Sequence, residues 1–375
     1  MKKKIIILSV LITLTIISIM YLFTLQKEKG SIVLSPIELQ VDVEVSSFDL
    51  IMFGDALIHQ AVYDDAHQGN GVYDFSDMFT SMHFIKDYDL AYYNQETILG
   101  GDYLGLSTYP RFNTPQAYGD FVIELGFNLV SLANNHTMDK GEEAILNSIA
   151  YWRDKEVVSA GSYLSFEDRN EIKVYEKNGI TYAFLSYTYG TNGIMVPQGK
   201  EYLVNVYNKE MLQEDIEMYR PLVDYLIVSM HWGDEYVLKP NQQQIEYAKF
   251  LADLDVDLVI GTHSHCVQPI EWIDDTLVVY SLGNMISGQD TLLKQIGGIV
   301  ALKVNKVKIG DDTHITTNDI EVDLVYTYSK NIRNYKLMMF DEITEEVMAD
   351  KEKVYETYTS VLKNDNPDIK VGLTR

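Results

Sequence analysis

The stretch Leu258-Val259-Ile260-Gly261-Thr262-His263-Ser264-His265-Cys266-Val267-Gln268 sets an unbroken apolar run against two imidazoles. Leucine, valine and isoleucine in sequence suit a strand buried on both faces, where no polar alternation is needed. Ligating side chains begin where that run ends. On a regular strand His263 and His265, two apart, would share one face. The same arrangement recurs upstream. Run 225–230 ends in His231-Trp232-Gly233 with Glu235 beyond, and run 129–133 ends in Asn134-Asn135-His136 with Asp139 and Gly141 following. Run 49–53 ends in Gly54-Asp55, with His59 four residues later. Asn94 and Glu96 follow Asp89-Leu90-Ala91, and run 277–281 leads into Gly283-Asn284.

Helical patterns lie between these runs. At 114–126 Thr114 can cap, Pro115 suits a first turn, Ala117, Phe121, Val122 and Leu125 share a face, and Gly126 stops it. Asp139 can cap a helix carrying Ile145, Ile149 and Trp152, and 242–254 carries Ile245, Ala248, Leu251 and Leu254. From Gly297 onward, 298–306 and 320–328 predict strands, 341–363 a polar helix, and the remainder a solvated tail. Strands alternating with helices predict an α/β fold. In such sheets ligands sit in the crevice beyond the strands' carboxyl ends. Five of the eight histidines, His59, His136, His231, His263 and His265, fall there; His67, His83 and His314 read as surface residues.

The chain has 375 residues, 46% of them hydrophobic and 23% charged, which excludes wholesale disorder. Net charge is −25. Residues 1–29 hold five lysines and one glutamate, so the remaining 25 basic against 54 acidic residues leave −29. A body that acidic repels phosphate backbones, and nucleic acid is not an expected partner. With Cys266 alone no intramolecular disulfide forms. Lys2, Lys3 and Lys4 precede an uncharged run from Ile5 to Leu25, whose 21 residues would reach about 30 Å as a helix, one hydrocarbon thickness. The lysines favour an amino end held inside and a body carried outward. The reading is a single-pass anchor over 1–29, a stem over 30–46, a main domain over 47–330 and a helical extension over 331–375. A cleaved signal peptide, giving a secreted body, is the alternative.

The strand-end residues offer nitrogen and oxygen with no thiolate set, which favours Mn²⁺, Fe or Zn²⁺. A bridging carboxylate such as Glu96 can hold two cations together, Asn135 offers a neutral amide oxygen, and His136 can stay free of metal to move protons. Two ions activate water and neutralise charge on attacked and leaving groups.

Taken in order, Gly54-Asp55, Asn94-Gln95-Glu96, Ala133-Asn134-Asn135-His136 with Asp139 and Gly141, His231-Trp232-Gly233, Gly261-Thr262-His263-Ser264-His265 with Gln268, and Tyr280-Ser281-Leu282-Gly283-Asn284 resemble the CapA family. This is the capsule and poly-γ-glutamate biosynthesis family, a relative of calcineurin-like metallophosphoesterases, and the resemblance covers about residues 47–300. It implies a metallophosphatase fold of two layered β-sheets flanked by helices. By position it implies Asp55, Glu96, Asn135, His231, His263 and His265 as ligands of a divalent pair and His136 as the catalytic histidine. His59 stands outside the superclass's Asp-x-His spacing. Ser264 replaces the usual proline between the paired histidines, Met285 the usual phenylalanine, and Asp255 a common glycine. The implied activity is hydrolysis of a phosphoester or amide, with an anionic surface polymer or its precursor as substrate and membrane synthase subunits as partners. Two alternatives stand beside it: a non-catalytic metal-holding subunit of a polymer synthase, and a generic secreted metallophosphoesterase.

Around this set, Asn134 and Asp139 are expected to orient and cap the helix that follows them. Trp232 and Glu235 are candidates to line the cleft, although an aromatic beside a strand end is more often packing, and Gln268 and Asn284 are candidates to support the ligands or meet substrate. Arg111 is a candidate clamp for a carboxylate or phosphate, since its fork suits either. Cys266 reads as a small buried side chain. The aromatic-rich region from Tyr88 to Tyr109 can bind a polymer or pack a loop.

Overall fold

Along β1 (Val43–Leu57), Phe48, Leu50 and Met52 join one apolar cluster while Ile51 and Phe53 join another. That is the period-two division of a strand covered on both sides. The computed structural model describes residues 43–374. Strands are numbered in chain order. The larger, nine-stranded sheet runs β16 (Lys336–Met339), β15 (Asp312–Tyr328), β14 (Ile296–Ile309), β1, β4 (Leu90–Asn94), β5 (Leu129–Ser131), β6 (Val158–Ala160). β13 (Asn284–Ser287) pairs with β1, and β17 (Lys370–Val371) with β15. The six-stranded sheet runs β11 (Ile270–Ile273), β12 (Thr276–Val279), β10 (Leu258–Thr262), β9 (Tyr225–His231), β8 (Ile180–Thr188), β7 (Tyr175–Lys177). A two-stranded ribbon, β2 (His67–Gly69) with β3 (Val72–Tyr73), stands apart.

The sheets face one another across a core to which β1, β4 and β5 contribute Leu50, Tyr92 and Leu129, and β8, β9 and β10 contribute Phe184, Ile227 and Ile260. The outer face of the larger sheet, through Phe53, Tyr93 and Val130, packs on Val122 and Leu125 of the helix Gln116–Leu125 and on Trp152 of Gly141–Arg153. The outer face of the smaller, through Leu185, Leu226 and Val259, packs on the helices Lys209–Tyr219 and Gln242–Ala252. The result is two layered sheets flanked by helices, a mixed α/β architecture. Pairings β1–β4, β4–β5, β8–β9 and β9–β10 are all parallel, so carboxyl ends within each sheet lie along one edge.

At that edge β1 changes neighbour. It pairs with β14 up to Met52 opposite Val300, then with β13 from Asp55 opposite Asn284. Gly54 sits at the exchange, where the Asp55 N–H donates to the Gly283 carbonyl at 2.8 Å. A Cβ on Gly54 would lie 1.8 Å from that same oxygen. The glycine is what lets the two backbones meet.

The anchor expected over Ile5–Leu25 and most of the 30–46 stem fall outside the described residues; the last stem residues, from Val43, already belong to β1. Among the described residues no helix is long and apolar enough to cross a membrane. The polar helix expected over 341–363 begins only at Lys351, because Ile343 and Met348 turn into the core instead. The tail is not wholly solvated: Ile369 is buried and β17 adds to the sheet. Thr114 does not cap its helix, since its hydroxyl donates to Thr97 Oγ1 at 2.8 Å.

Candidate metal centre

Asp55 leaves β1, Glu96 follows β4, and Asn135 and His136 follow β5, all at the carboxyl edge of the larger sheet. His231 ends β9 and His263 and His265 follow β10, at the matching edge of the smaller. The architecture thus delivers Asp55, Glu96, Asn135 and His136 from one sheet and His231, His263 and His265 from the other. Two sets result: Glu96, His231 and His263, and Asp55, Glu96 and His265, each with one ligand atom per residue within 4.8 Å of the others. Glu96 belongs to both. Its Oε1 lies 3.8 Å from His231 Nε2 and 3.7 Å from His265 Nε2. Asp55 Oδ2 lies 3.7 Å from His265 Nδ1, and Asn135 Oδ1 lies 3.0 Å from His231 Nε2.

These residues fit divalent cations. Glu96 is 0% exposed, yet neither of its carboxylate oxygens has a hydrogen-bond partner. His263 Nδ1 is buried and unpartnered as well. Burial, reinforced by the Asp55 charge, pushes the Glu96 carboxyl well above the usual carboxylate range. Burial raises Asp55 to about 7 against the opposing donors Asn94 and the His263 N–H. Burial lowers His263 to about 4, His265 to about 3, and His231 well below its ordinary value. Neutral imidazole is the form that ligates, and a cation is the partner a buried carboxylate otherwise lacks.

Surrounding side chains orient Asp55, His231 and His265. Asn94 Nδ2 donates to Asp55 Oδ1 at 2.7 Å, and the Thr262 hydroxyl lies 2.9 Å from His231 Nδ1. Asn284 spends its amide hydrogens on Gln289 Oε1 and the Lys294 carbonyl, so its oxygen accepts from His265 Nδ1 at 3.0 Å. That leaves the lone pair on His265 Nε2, facing Glu96. Asp139 Oδ2 accepts from His136 Nδ1 at 2.7 Å and from the Phe112 N–H at 2.7 Å. Asp139 therefore orients His136 and does not cap the helix Gly141–Arg153, whose cap position is Lys140. Asn134 does not cap that helix either: its Oδ1 accepts from the His136 N–H at 3.0 Å, and its Nδ2 donates to the Gln95 carbonyl.

Other expectations need correction. His263 and His265 do not share a strand face, because β10 stops at Thr262 and both adopt left-handed backbone, φ 94° and 54°. Non-glycine residues hold such angles only where surroundings enforce them, commonly at functional sites. His59 joins neither ligand set; its Nδ1 lies 3.0 Å from the Leu57 carbonyl and 3.1 Å from the Gly288 N–H. Trp232 takes the packing role that the sequence favoured, stacked on Tyr280 with its Nε1 donating to the Tyr280 carbonyl. Gln268 is buried. Its Nε2 donates to the Val237 and Lys239 carbonyls, pinning the loop after β9, while its Oε1 accepts from Gln244. Glu235 and Arg111 are exposed, and Arg111 adjoins Phe112, whose ring meets His136 edge-on at 4.7 Å. Cys266 is buried, as expected.

Several contributors carried no sequence signal. Tyr189 and Asn192 leave β8 on a loop and reach the site, Tyr189 with its ring 4.6 Å from His263. Tyr236 stacks on His265 at 5.9 Å. No periodicity or ligand spacing marks such loop residues.

Residues 49–289 match the family of bacterial capsule synthesis proteins, PGA_cap. The chain is 29% identical over 174 residues to the PGA biosynthesis protein CapA of Bacillus subtilis (strain 168), covering 44% of each. It is 28% identical over 172 residues to the capsule biosynthesis protein CapA of Bacillus anthracis, covering 45% of this chain and 42% of that one. Each match thus spans less than half of the relative. Among solved structures, a putative 5'-nucleotidase of Staphylococcus aureus in complex with alpha-ketoglutarate aligns at TM-score 0.48 and 16% identity, over 83% of this chain and 58% of that one. The calcineurin-like phosphoesterase YfkN of Bacillus subtilis aligns at 0.43 and 13%, over 84% and 99%. With the family match running from β1 through the last ligand-bearing loop, the chain belongs to the bacterial capsule synthesis protein family.

Proposed function

We propose that this protein is a metal-dependent hydrolase, anchored in the cell membrane by residues 1–29 and facing outward, that cleaves a phosphoester or amide in an anionic surface polymer such as poly-γ-glutamate or in its precursor. The observation that carries the reading is Glu96, buried and unpartnered where two ligand sets overlap. Asp55, Glu96, Asn135, His231, His263 and His265 would hold the ions. When bound, such a pair supplies an activated water and positive charge for the developing negative charge.

The protein's own chemistry centres on His136. Asp139 holds the Nδ1 proton, fixing the tautomer and leaving the Nε2 lone pair to take a proton from the attacking water and pass it on to the leaving group. The ring is 6% exposed, so the proton stays out of bulk water yet within reach of a substrate. His136→Gln is expected to bind metal as the wild type does and to lose about 10²–10⁴-fold in turnover, the usual contribution of a placed acid. Asp139→Asn, which removes the charge that holds the Nδ1 proton, should lose a comparable factor. Release of glutamate from poly-γ-glutamate and of nitrophenol from a nitrophenyl phosphodiester checks both. Unaltered turnover in His136→Gln would remove the proton-transfer role of His136, and no turnover by the metal-loaded wild type would remove the enzyme reading.

A second reading, a non-catalytic accessory subunit of a synthase complex, draws on the −29 charge of the body, which opposes a polyanion unless cations screen it. Cells carrying His136→Gln distinguish the two. Normal polymer output alongside lost hydrolysis supports the accessory role.

A further inference from the structure

The amide of Asn135 contributes to the site only if its oxygen, and not its nitrogen, faces the ligand set. Nothing within Asn135 decides this, since the two ends of a carboxamide have nearly the same shape. The decision comes from the loop after β8. Asn192 Oδ1 accepts from Asn135 Nδ2 at 3.3 Å. With its nitrogen held there, Asn135 turns Oδ1 to His231, 3.0 Å from Nε2.

Asn192 is itself held for the task. Its backbone is left-handed, φ 51°, a conformation asparagine tolerates better than most residues. Its Nδ2 lies 3.5 Å from His136 Nδ1, but that nitrogen already donates to Asp139 at 2.7 Å. Asn192 therefore acts on Asn135 and not on the His136 tautomer. The loop crosses from the smaller sheet to residues carried by the larger, so the hydrogen bond also couples the two halves of the centre.

We propose that Asn192 is a positioning residue that fixes Asn135 with its oxygen toward the Glu96–His231–His263 set. The inference rests on the metal-binding reading above and extends it to a residue that would touch no ion. Loss of such an orienting partner typically costs 10–100-fold in metal affinity.

The test is Mn²⁺ binding by the full chain, followed by calorimetry and by electron paramagnetic resonance. Asn192→Gly removes the carboxamide while relieving the left-handed backbone. It is expected to weaken one class of Mn²⁺ binding by about 10–100-fold, replacing any coupled-pair signal with that of an isolated ion. Asn192→Asp keeps an acceptor for Asn135 Nδ2 and should restore binding to near the wild-type level. Wild-type binding in Asn192→Gly overturns the inference and leaves the metal reading intact. Equal weakening of every Mn²⁺ ion, unrescued by Asn192→Asp, also overturns it, since a collapsed loop would do the same. Absence of Mn²⁺ binding in the wild type would overturn the metal reading and this inference together.

Discussion

Gly54→Ala is expected to destabilise the protein by about 4 kcal/mol or more, at the severe end of single substitutions. The new Cβ would meet the Gly283 carbonyl oxygen at 1.8 Å, its carbon at 2.8 Å and the Leu282 carbonyl carbon at 3.1 Å. All three are backbone atoms, fixed by the Asp55 N–H bond to Gly283 and by the β1–β13 pairing. No side chain can rotate away to relieve the clash. A loss of that size corresponds to a fall of roughly 5 °C or more in Tm for a chain of this length. Gly190→Ala is the control, because a Cβ there meets nothing within 4 Å. Thermal unfolding of the two variants checks the prediction, and a Gly54→Ala protein within about 2 °C of wild type would refute the close approach of β1 and β13.

Glu96→Gln should change metal binding and metal-free stability in opposite directions. The substituted carboxamide would keep the shape of the side chain but offer one neutral oxygen where two sets share a carboxylate. Affinity for Mn²⁺ or Zn²⁺ is expected to fall by at least 100-fold, about 2.7 kcal/mol. Without metal the substitution removes a buried carboxyl with no hydrogen-bond partner, and should stabilise by about 1–3 kcal/mol. Burial holds the folded Glu96 pKa well above its ordinary value. A carboxyl raised on folding contributes stability that is present below its unfolded pKa and lost as pH rises toward the folded one. The metal-free advantage of Glu96→Gln should accordingly widen as pH increases from the ordinary carboxylate range. Urea unfolding with and without chelator across pH measures both effects. A variant that is less stable than wild type even without metal would show that Glu96 has a structural partner.

Much of this centre was legible because covered strands announce themselves as apolar runs, and parallel strands align their carboxyl ends. That alignment brings Asp55, Glu96, Asn135, His136, His231, His263 and His265 to one edge. The spacing of His263 and His265 misled because Ile260-Gly261-Thr262 gives no sign of where β10 stops. The left-handed turn is imposed by tertiary contacts, among them the His263 N–H donating to Asp55 Oδ2 at 3.1 Å. Asp139 read as a cap because aspartate before a helix usually is one. Its oxygen instead meets His136 Nδ1 and the Phe112 N–H, and Phe112 lies 27 residues away. Asn192 and Tyr189 went unmarked since their roles are hydrogen bonds and ring contacts between distant loops. In the carboxyl-terminal stretch, the charged composition of 341–350 suggested a helix, and the burial of Ile343 and Met348 decided otherwise.

Anomalous diffraction from crystals of the protein soaked in Mn²⁺ reads the centre without reference to any substrate. Two peaks on either side of Glu96 are expected, one among Glu96, His231 and His263 and the other among Asp55, Glu96 and His265, about 3.5–4 Å apart as in other two-ion sites. Mn²⁺ absent from Glu96, with density only at surface carboxylates, would refute a centre built on that shared carboxylate.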